Sequence, residues 1–396
     1  VAEAEALILK QMVLLPSKEY PLSETTGTVL RKDVEAERDQ PPFDRVTMDG
    51  IALKYIDWKQ GLRCYEIIGT QGAGTPPLEI NGSGKCVEIM TGAMLPDGAD
   101  TVIPVERLTR EKGTAIVEES ADVLEGQFVH PQGSDRVAGS RLLSTGQLIG
   151  PVEMAILASA GQPCVQVTER PRIAVISTGD ELVDLGAPIQ THQIRSSNDR
   201  AIEASLVHHC QAQVNKITLK DDPEVILETI SKLHDENDIL ILSGGVSMGQ
   251  YDFVPEALEK LGVKLVFHRI EQRPGRPMWF GVSKTSKPVF ALPGNPVSTL
   301  VCLTRYVIPA LKHAMGLEPE APEMVSLAGK VEFQADLVYF LPVKLSPDRA
   351  GMRLATPHPT NTSGDFVSLA ETDGFIELPR GQEVYQKGMV ARLFRW

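Results

Sequence analysis

Asp238–Asp252 reads DILILSGGVSMGQYD, and the character of the chain changes within it at Ser243. Ile239, Leu240, Ile241 and Leu242 form an unbroken apolar run, as in a parallel strand buried on both faces, and Ser243, Gly244 and Gly245 end it abruptly. Two glycines let the backbone turn tightly and point its N–H groups toward an anion. Ser247 adds a hydroxyl and Asp252 a carboxylate, which makes the loop a site for a phosphorylated ligand with a metal. The plainer reading is a strand-to-helix turn with glycines for steric reasons, so the surroundings must decide.

Upstream, RIAVIST (172–178), NDRAIEASLVHHC (198–210), QVNKITL (213–219) and DPEVILETISKLHDE (222–236) alternate strand and helix patterns. Such alternation predicts right-handed βαβ units and a parallel sheet covered by helices on both faces. After VFALPGNP a helix is expected from about Val297 to Met315. Residues 2–15 read as a helix closed by Pro16, 19–34 as a second helical piece, and 150–161 as a helix ending on Gly161. Between them, Gly and Pro punctuate short β-branched runs such as CVEIM (86–90) and DTVIPVE (100–106). The expected class is α/β plus β, in four parts. These are a discontinuous helical linker domain (1–34 and 132–170), an inserted β domain (35–131), an α/β domain (171–318) and a C-terminal β domain (319–396).

The 396 residues carry a formal charge of −13, from 52 acidic and 39 basic side chains, which argues against nucleic acid or an anionic membrane as partner. An anionic substrate then needs local cations or a metal. The five cysteines show no paired spacing, which suits a reducing cytoplasm. No apolar run reaches the roughly 20 residues that span a bilayer, and no signal peptide is expected before the first helix.

In open α/β sheets ligands bind beyond the carboxyl ends of the strands. There Asp180 and Glu181 follow RIAVIST, and Pro293-Gly294-Asn295-Pro296-Val297-Ser298 follows VFAL, offering the positive end of a new helix. Arg269, Arg273 and Arg276 surround Pro274-Gly275, where guanidinium forks can take oxyanion oxygens. Asp49, Asp135, Asp221, Asp222 and Asp252 add carboxylates, although one of Asp221 and Asp222 is expected to do no more than cap the helix from Pro223. Oxygen-rich sites beside phosphates select Mg²⁺ rather than zinc.

Nine stretches, in order, resemble the molybdopterin molybdenumtransferase family of MoeA and the gephyrin E domain. They are PPFDRVTMDGIA (41–52), IMTGAMLPDGADTVIPVE (89–106), GSDRVAGSRLLSTGQ (133–147), STGDEL (177–182), DDP (221–223), SGGVSMGQYD (243–252), RPGRP (273–277), LPGNPVS (292–298) and NTSGDFVSLAETDGFIELP (361–379). The resemblance implies a homodimer that inserts molybdate into adenylylated molybdopterin with Mg²⁺-dependent release of AMP. Glu181, Asp221 and Asp252 would hold the metal. Gly244, Gly245, Ser247 and the Pro293–Ser298 turn would cradle the pterin phosphate, and Arg269, Arg273 and Arg276 would take molybdate or phosphate oxygens. Asp49, Thr91 and Asp135 would line the cleft from the other subunit, with Ser363 a further contact. A molybdopterin adenylyltransferase and molybdoenzyme chaperones are the implied partners.

The chain departs from the family where Arg45, Val46, Thr47 and Ile51 surround Asp49, where arginines replace the lysines of the KPGKP loop, and at Ser196 and Leu341. Competing readings are a dimeric scaffold or molybdopterin carrier of the same fold, and an adenylyltransferase or nucleotide pyrophosphatase resembling only the α/β part.

Overall fold

The computed structural model describes residues 1–220, 222–245 and 254–396, so Asp221, Ser247 and Asp252 lie outside the described residues. The described chain falls into two compact units: residues 1–32, 145–151 and 164–396, and residues 33–144 with 152–163.

The larger unit is built on a six-stranded sheet. Its elements are β1 (Arg172–Thr178), α1 (Asn198–Cys210), β2 (Gln213–Leu219), α2 (Pro223–Glu236), β3 (Ile239–Ser243), α3 (Val254–Lys260), β4 (Lys264–His268), β5 (Trp279–Val282), β6 (Pro288–Leu292) and α4 (Pro296–Cys302). The strand order is β2-β1-β3-β6-β5-β4. The first four strands run parallel, and β5 is antiparallel to both its neighbours. The expected parallel sheet is therefore mixed at one edge, because β4, β5 and β6 are joined by loops too short for parallel crossovers.

The apolar run in β3 is buried on both faces, as its lack of alternation requires. Ile239 and Ile241 join the core that holds Ile202 and Leu206 of α1, while Leu240 and Leu242 join the core that holds Ile226 and Ile230 of α2. β1 divides the same way, with Ile173 and Val175 on one face and Ala174 and Ile176 on the other. Each such Ile or Leu contributes about 1.5–3 kcal/mol of burial, so this double face anchors the unit.

The chain leaves β1 toward β2 on one side and returns past it to β3 on the other. The carboxyl ends of β1 and β3 therefore flank the topological switch point. After β6, α4 continues through a π turn (Leu303–Val307) into α5 (Ile308–Ala314), matching the helix expected over this stretch. Buried in that turn, Arg305 donates to Glu5 of the N-terminal helix and to Glu377 of the C-terminal sheet, each at 2.8 Å.

The C-terminal strands Val338–Pro347, Arg353–Pro357, Met324–Leu327, Val390–Arg395 and Gly374–Leu378 pair in that order, and the last pairs back with the first to close a barrel. Gln272–Arg273 adds in parallel beside Val338–Tyr339. Leu341 is buried in the barrel core.

The N-terminal helix spans Ala2–Gln11, shorter than the expected 2–15. The second helical piece expected over 19–34 does not form. Ser17–Pro21 is a strand antiparallel to Cys164–Thr168, followed by one 3₁₀ turn (Leu22–Glu24). Pro21 and the left-handed Gly27 bracket a segment too short for a helix, and strand pairing satisfies its backbone instead.

The smaller unit carries a six-stranded sheet ordered Thr101–Pro104, Gly50–Leu53, Lys85–Ile89, Cys64–Gln71, Thr114–Val117 and Leu108–Glu111. The runs at 86–90 and 100–106 form the strands Lys85–Ile89 and Thr101–Pro104, the second passing into a 3₁₀ turn at Val105–Arg107. The helix expected over 150–161 spans Pro151–Ser159.

Candidate functional site

The ends of β1, β3 and β6 open into a cavity of about 1080 Å³ whose opposite wall is formed by the arginine loop and residues 333–366 of the C-terminal barrel. Its charged lining consists of Arg195, Arg273 and Arg276 against Glu181. Among the described residues, a chain of net charge −13 thus lines this cleft with three arginines and one carboxylate.

Gly244 has φ +92°, and a Cβ there would stand 2.8 Å from the carbonyl of Thr178, so only glycine passes. Gly245 at φ +65° would meet the Thr178 hydroxyl at 2.7 Å. The turn was expected to offer its N–H groups to an anion, but the Gly244 N–H donates to Leu292 O across the sheet at 3.3 Å. What the strand end does offer is Ser177 and Thr178, which are 1% and 5% exposed. Both residues belong to the cavity lining, and their buried hydroxyls have no hydrogen-bond partner among the described residues. An unpaired buried hydroxyl costs about 1–3 kcal/mol, which a polar ligand would recover.

Asn198, at the start of α1, ties two strand ends together, donating from Nδ2 to Ser243 Oγ at 2.9 Å and to Gly294 O at 2.8 Å. Glu181 lines the cavity with its carboxylate folded back over Gly179, where a Cβ would come within 2.5 Å of Oε2. Asp222 caps α2, its Oδ1 accepting from Glu224 N at 3.0 Å and Val225 N at 3.2 Å, so that carboxylate has the capping role foreseen for one of the pair.

Beyond β6, Asn295 Nδ2 donates to Ser363 Oγ at 2.7 Å, and the Val297 N–H donates to Ser363 O at 3.0 Å. One N–H of the helix end expected to receive an anion is thus taken by the barrel loop. Asp365 fastens that loop. The Ser368 hydroxyl and the Asn361 N–H hold its carboxyl below the usual carboxylate range. Thr299 Oγ1 closes the turn from the other side, donating to Pro293 O at 2.6 Å, and Ser298 is buried beside it.

Arg273 and Arg276 line the cavity with exposed side chains, and Arg273 lies 6.0 Å from the ring centre of Phe333, which stacks on Tyr339 at 4.2 Å. Among the described residues neither guanidinium is paired with a carboxylate. Arg269 is exposed at φ +73° and is not among the residues lining the cavity.

In the smaller unit, Asp49 and Thr91 meet. Asp49 Oδ1 accepts from the Thr91 N–H at 2.6 Å and from its hydroxyl at 2.7 Å. These two bonds, the backbone one first, hold the Asp49 carboxyl below its ordinary value. Asp135 Oδ1 lies 3.0 Å from His130 Nε2, whose Nδ1 lies 3.2 Å from the Arg45 guanidinium.

Ser177, Thr178, Arg195, Asn198 and Gln272 escaped the sequence reading as site residues. Ser177 and Thr178 lie inside the strand pattern RIAVIST, where the polar ending was the available signal. The roles of Asn198 and Gln272 depend on partners 45 and 34 residues away, which no local pattern encodes.

Three consecutive stretches match known families: residues 1–161 the MoeA N-terminal region (domain I and II), 174–313 a probable molybdopterin binding domain, and 325–393 the MoeA C-terminal region (domain IV). The chain is similar to the molybdopterin molybdenumtransferase of Synechocystis sp., at 41% identity over 93% of each chain. It is 30% identical to the protein of the same name from Staphylococcus epidermidis, over 98% of this chain and 94% of that one. Among solved structures, the molybdopterin biosynthesis MoeA protein from Pyrococcus horikosii has a TM-score of 0.83 at 32% identity, covering 100% of this chain and 98% of that one.

Proposed function

The chain belongs to the MoeA family of molybdopterin molybdenumtransferases, transferases of molybdenum cofactor biosynthesis, and on that premise we propose that it inserts molybdate into adenylylated molybdopterin with magnesium-dependent hydrolytic release of AMP. The observation that carries this reading is the cleft at the switch point, whose described lining brings Arg195, Arg273 and Arg276 together with Ser177, Thr178 and Glu181.

The substrate brings its own soft ligands, the dithiolene sulfurs, so the protein needs no metal-binding cysteine, and its five cysteines are free. Its task is to hold a pyrophosphate and a tetrahedral oxyanion together and neutralise them away from bulk water. Ser177 and Thr178 would donate to phosphate oxygens, with Gly244 and Gly245 permitting the approach. Asn198, Asn295 and Ser363 hold the surrounding turns, and Arg273 and Arg276 take oxyanion oxygens through their forks. Glu181 is the described oxygen donor of the metal set, with Asp221 and Asp252 as the others, and such carboxylates suit a hard cation. Bound Mg²⁺ would neutralise phosphate charge.

AMP release from adenylylated molybdopterin, measured with Mg²⁺ and with or without molybdate, tests the reaction. Molybdate-dependent release yielding active cofactor supports it, whereas tight substrate binding without that release turns the protein into a carrier or scaffold. Asp252→Ala is expected to abolish turnover while leaving the chain folded. Magnesium-dependent turnover in that variant would remove Asp252 from the metal set.

The same reading includes a homodimer, tested by sedimentation equilibrium, and a cytoplasmic location. No helix among the described residues is long and apolar enough to cross a membrane. Direct transfer from a molybdopterin adenylyltransferase is tested by substrate channelling in a mixture of the two proteins.

A further inference from the structure

The loop that carries Arg273 and Arg276 is held from inside by one buried amide. Gln272 is fully buried, and its Nε2 lies 3.2 Å from Pro274 O, 3.3 Å from Gly275 O and 3.5 Å from Cys302 Sγ. Its Oε1 accepts from the hydroxyl of Tyr306, which is 2% exposed and sits in the π turn of the long helix. The orientation of the amide follows from these partners. Two backbone carbonyls can only accept, so the NH₂ group faces them and the carbonyl oxygen faces the phenol.

We propose that Gln272 is a positioning residue for oxyanion binding, using this buried hydrogen-bond cluster with Tyr306 and Cys302 to fix the directions in which Arg273 and Arg276 present their guanidinium groups. The inference rests on the reading of these arginines as the oxyanion subsite.

Three further features make the loop a device rather than a simple turn. Gly275 has φ +90°, and a Cβ there would lie 2.5 Å from Cys302 Sγ, so the backbone is pressed directly onto the helix. Cys302 donates to Gly275 O at 3.5 Å, giving that carbonyl two donors. On its outer side the loop is registered onto the barrel, with Gln272 opposite Val338 and Arg273 opposite Tyr339. Helix and barrel thus grip the loop from two sides, and the two guanidiniums in the cavity lining have no carboxylate partner among the described residues. An apolar side chain of Gln272's size would fill the space but take away the amide donor to Pro274 O and the acceptor for the Tyr306 hydroxyl, and leave Gly275 O with only the weak thiol donor of Cys302. The backbone would then shift to find others, and fork geometry tolerates little misplacement.

The test compares Gln272→Met, Gln272→Glu and Tyr306→Phe with the parent protein. Gln272→Glu keeps the acceptor for Tyr306 and loses both Nε2 donors, while Tyr306→Phe keeps ring volume. Molybdate binding is followed by calorimetry, together with the molybdate dependence of AMP release, the KM for adenylylated molybdopterin and thermal melting. Expected is a roughly tenfold weaker molybdate Kd in Gln272→Met and Gln272→Glu and about threefold in Tyr306→Phe, with half-saturation of AMP release moving in parallel. The KM for adenylylated molybdopterin and kcat at saturating molybdate should hold within about twofold, a split that a loss of folded protein cannot produce.

An unchanged molybdate Kd in the glutamine variants, while Arg273→Ala weakens it, overturns the positioning role. So does a fall in kcat alone. If the parent protein binds molybdate neither free nor with substrate, the oxyanion reading itself fails and takes this inference with it.

Discussion

Asn295 and Ser363 meet side chain to side chain at 2.7 Å, joining the turn after β6 to a loop of the C-terminal barrel. The neighbouring Val297 N–H donates to the Ser363 carbonyl at 3.0 Å, so the barrel is bonded to the α/β sheet by both parts of one serine. Ser363→Ala removes only the side-chain bond. We expect a stability loss of about 1 kcal/mol or less in urea unfolding, since one exposed hydrogen bond is lost. The KM for adenylylated molybdopterin should rise by severalfold, because the cavity wall is released on one side.

Arg273 and Arg276 separate charge from geometry. Arg273→Lys keeps the charge but loses the planar fork, whereas Arg273→Ala loses both. The molybdate concentration for half-maximal AMP release should rise severalfold in the lysine variant and at least about tenfold in the alanine variant. An equal response in the two would mean that charge alone acts there.

Gly275 gives a steric version of the same test. Gly275→Ala places a methyl 2.5 Å from Cys302 Sγ at a left-handed φ, so the loop must move. Gly329→Ala, whose added Cβ would meet nothing within 4 Å, is the control. Only the first is expected to raise the molybdate requirement.

Asp49 should remain ionised to lower pH than an ordinary aspartate, because the Thr91 N–H and hydroxyl both donate to it. Its folded value lies below the ordinary 3.8, so its stabilising contribution is present above about that pH and is lost as pH falls through the lower folded value. Carboxyl NMR should show the depressed titration, and Thr91→Val should return it upward. Asp49→Asn is expected to lower AMP release without a change in fold by circular dichroism.

Arg305 is 2% exposed between Glu5 and Glu377, which keep about a quarter of their side-chain surface. Arg305→Ala leaves two half-buried carboxylates facing a void, and we expect a loss of about 3 kcal/mol, the lower end for a broken buried pair. Burial pushes the Glu5 carboxyl up, but the Arg305 bond and charge outweigh it and hold the group below its ordinary 4.5. That contribution is present above about pH 4.5 and disappears as pH falls through the folded value. Acid unfolding should therefore flatten in the Arg305 variant relative to the parent.

The α/β scaffold was legible because its signals are local. RIAVIST, QVNKITL and DILILS differ from the helices between them in period, and a run without alternation can be buried only on both faces. The segment 19–34 was misread for the opposite reason. Its strand is stabilised by Cys164–Thr168, nearly 150 residues away, and nothing within Ser17–Pro21 announces that partner. The same distance effect hid Asn198 and Gln272, whose amides are decided by where other strand ends and helices arrive.

The sequence by itself determined the family, the order of strands and helices in the α/β part, and the chemical types gathered at the strand ends, because composition, period and turn residues act within a few positions. Tertiary structure alone decided which groups remain free to bind. Gly244 and Val297 spend N–H groups on the protein, Asp222 spends its carboxylate on a cap, and Arg269 stays off the cavity lining. Among the described residues, Arg273 and Arg276 line the cavity without a carboxylate partner, and the buried hydroxyls of Ser177 and Thr178 in its lining keep none. A polar group is available to a ligand only after the fold has satisfied its other polar groups, and that accounting closes only in three dimensions.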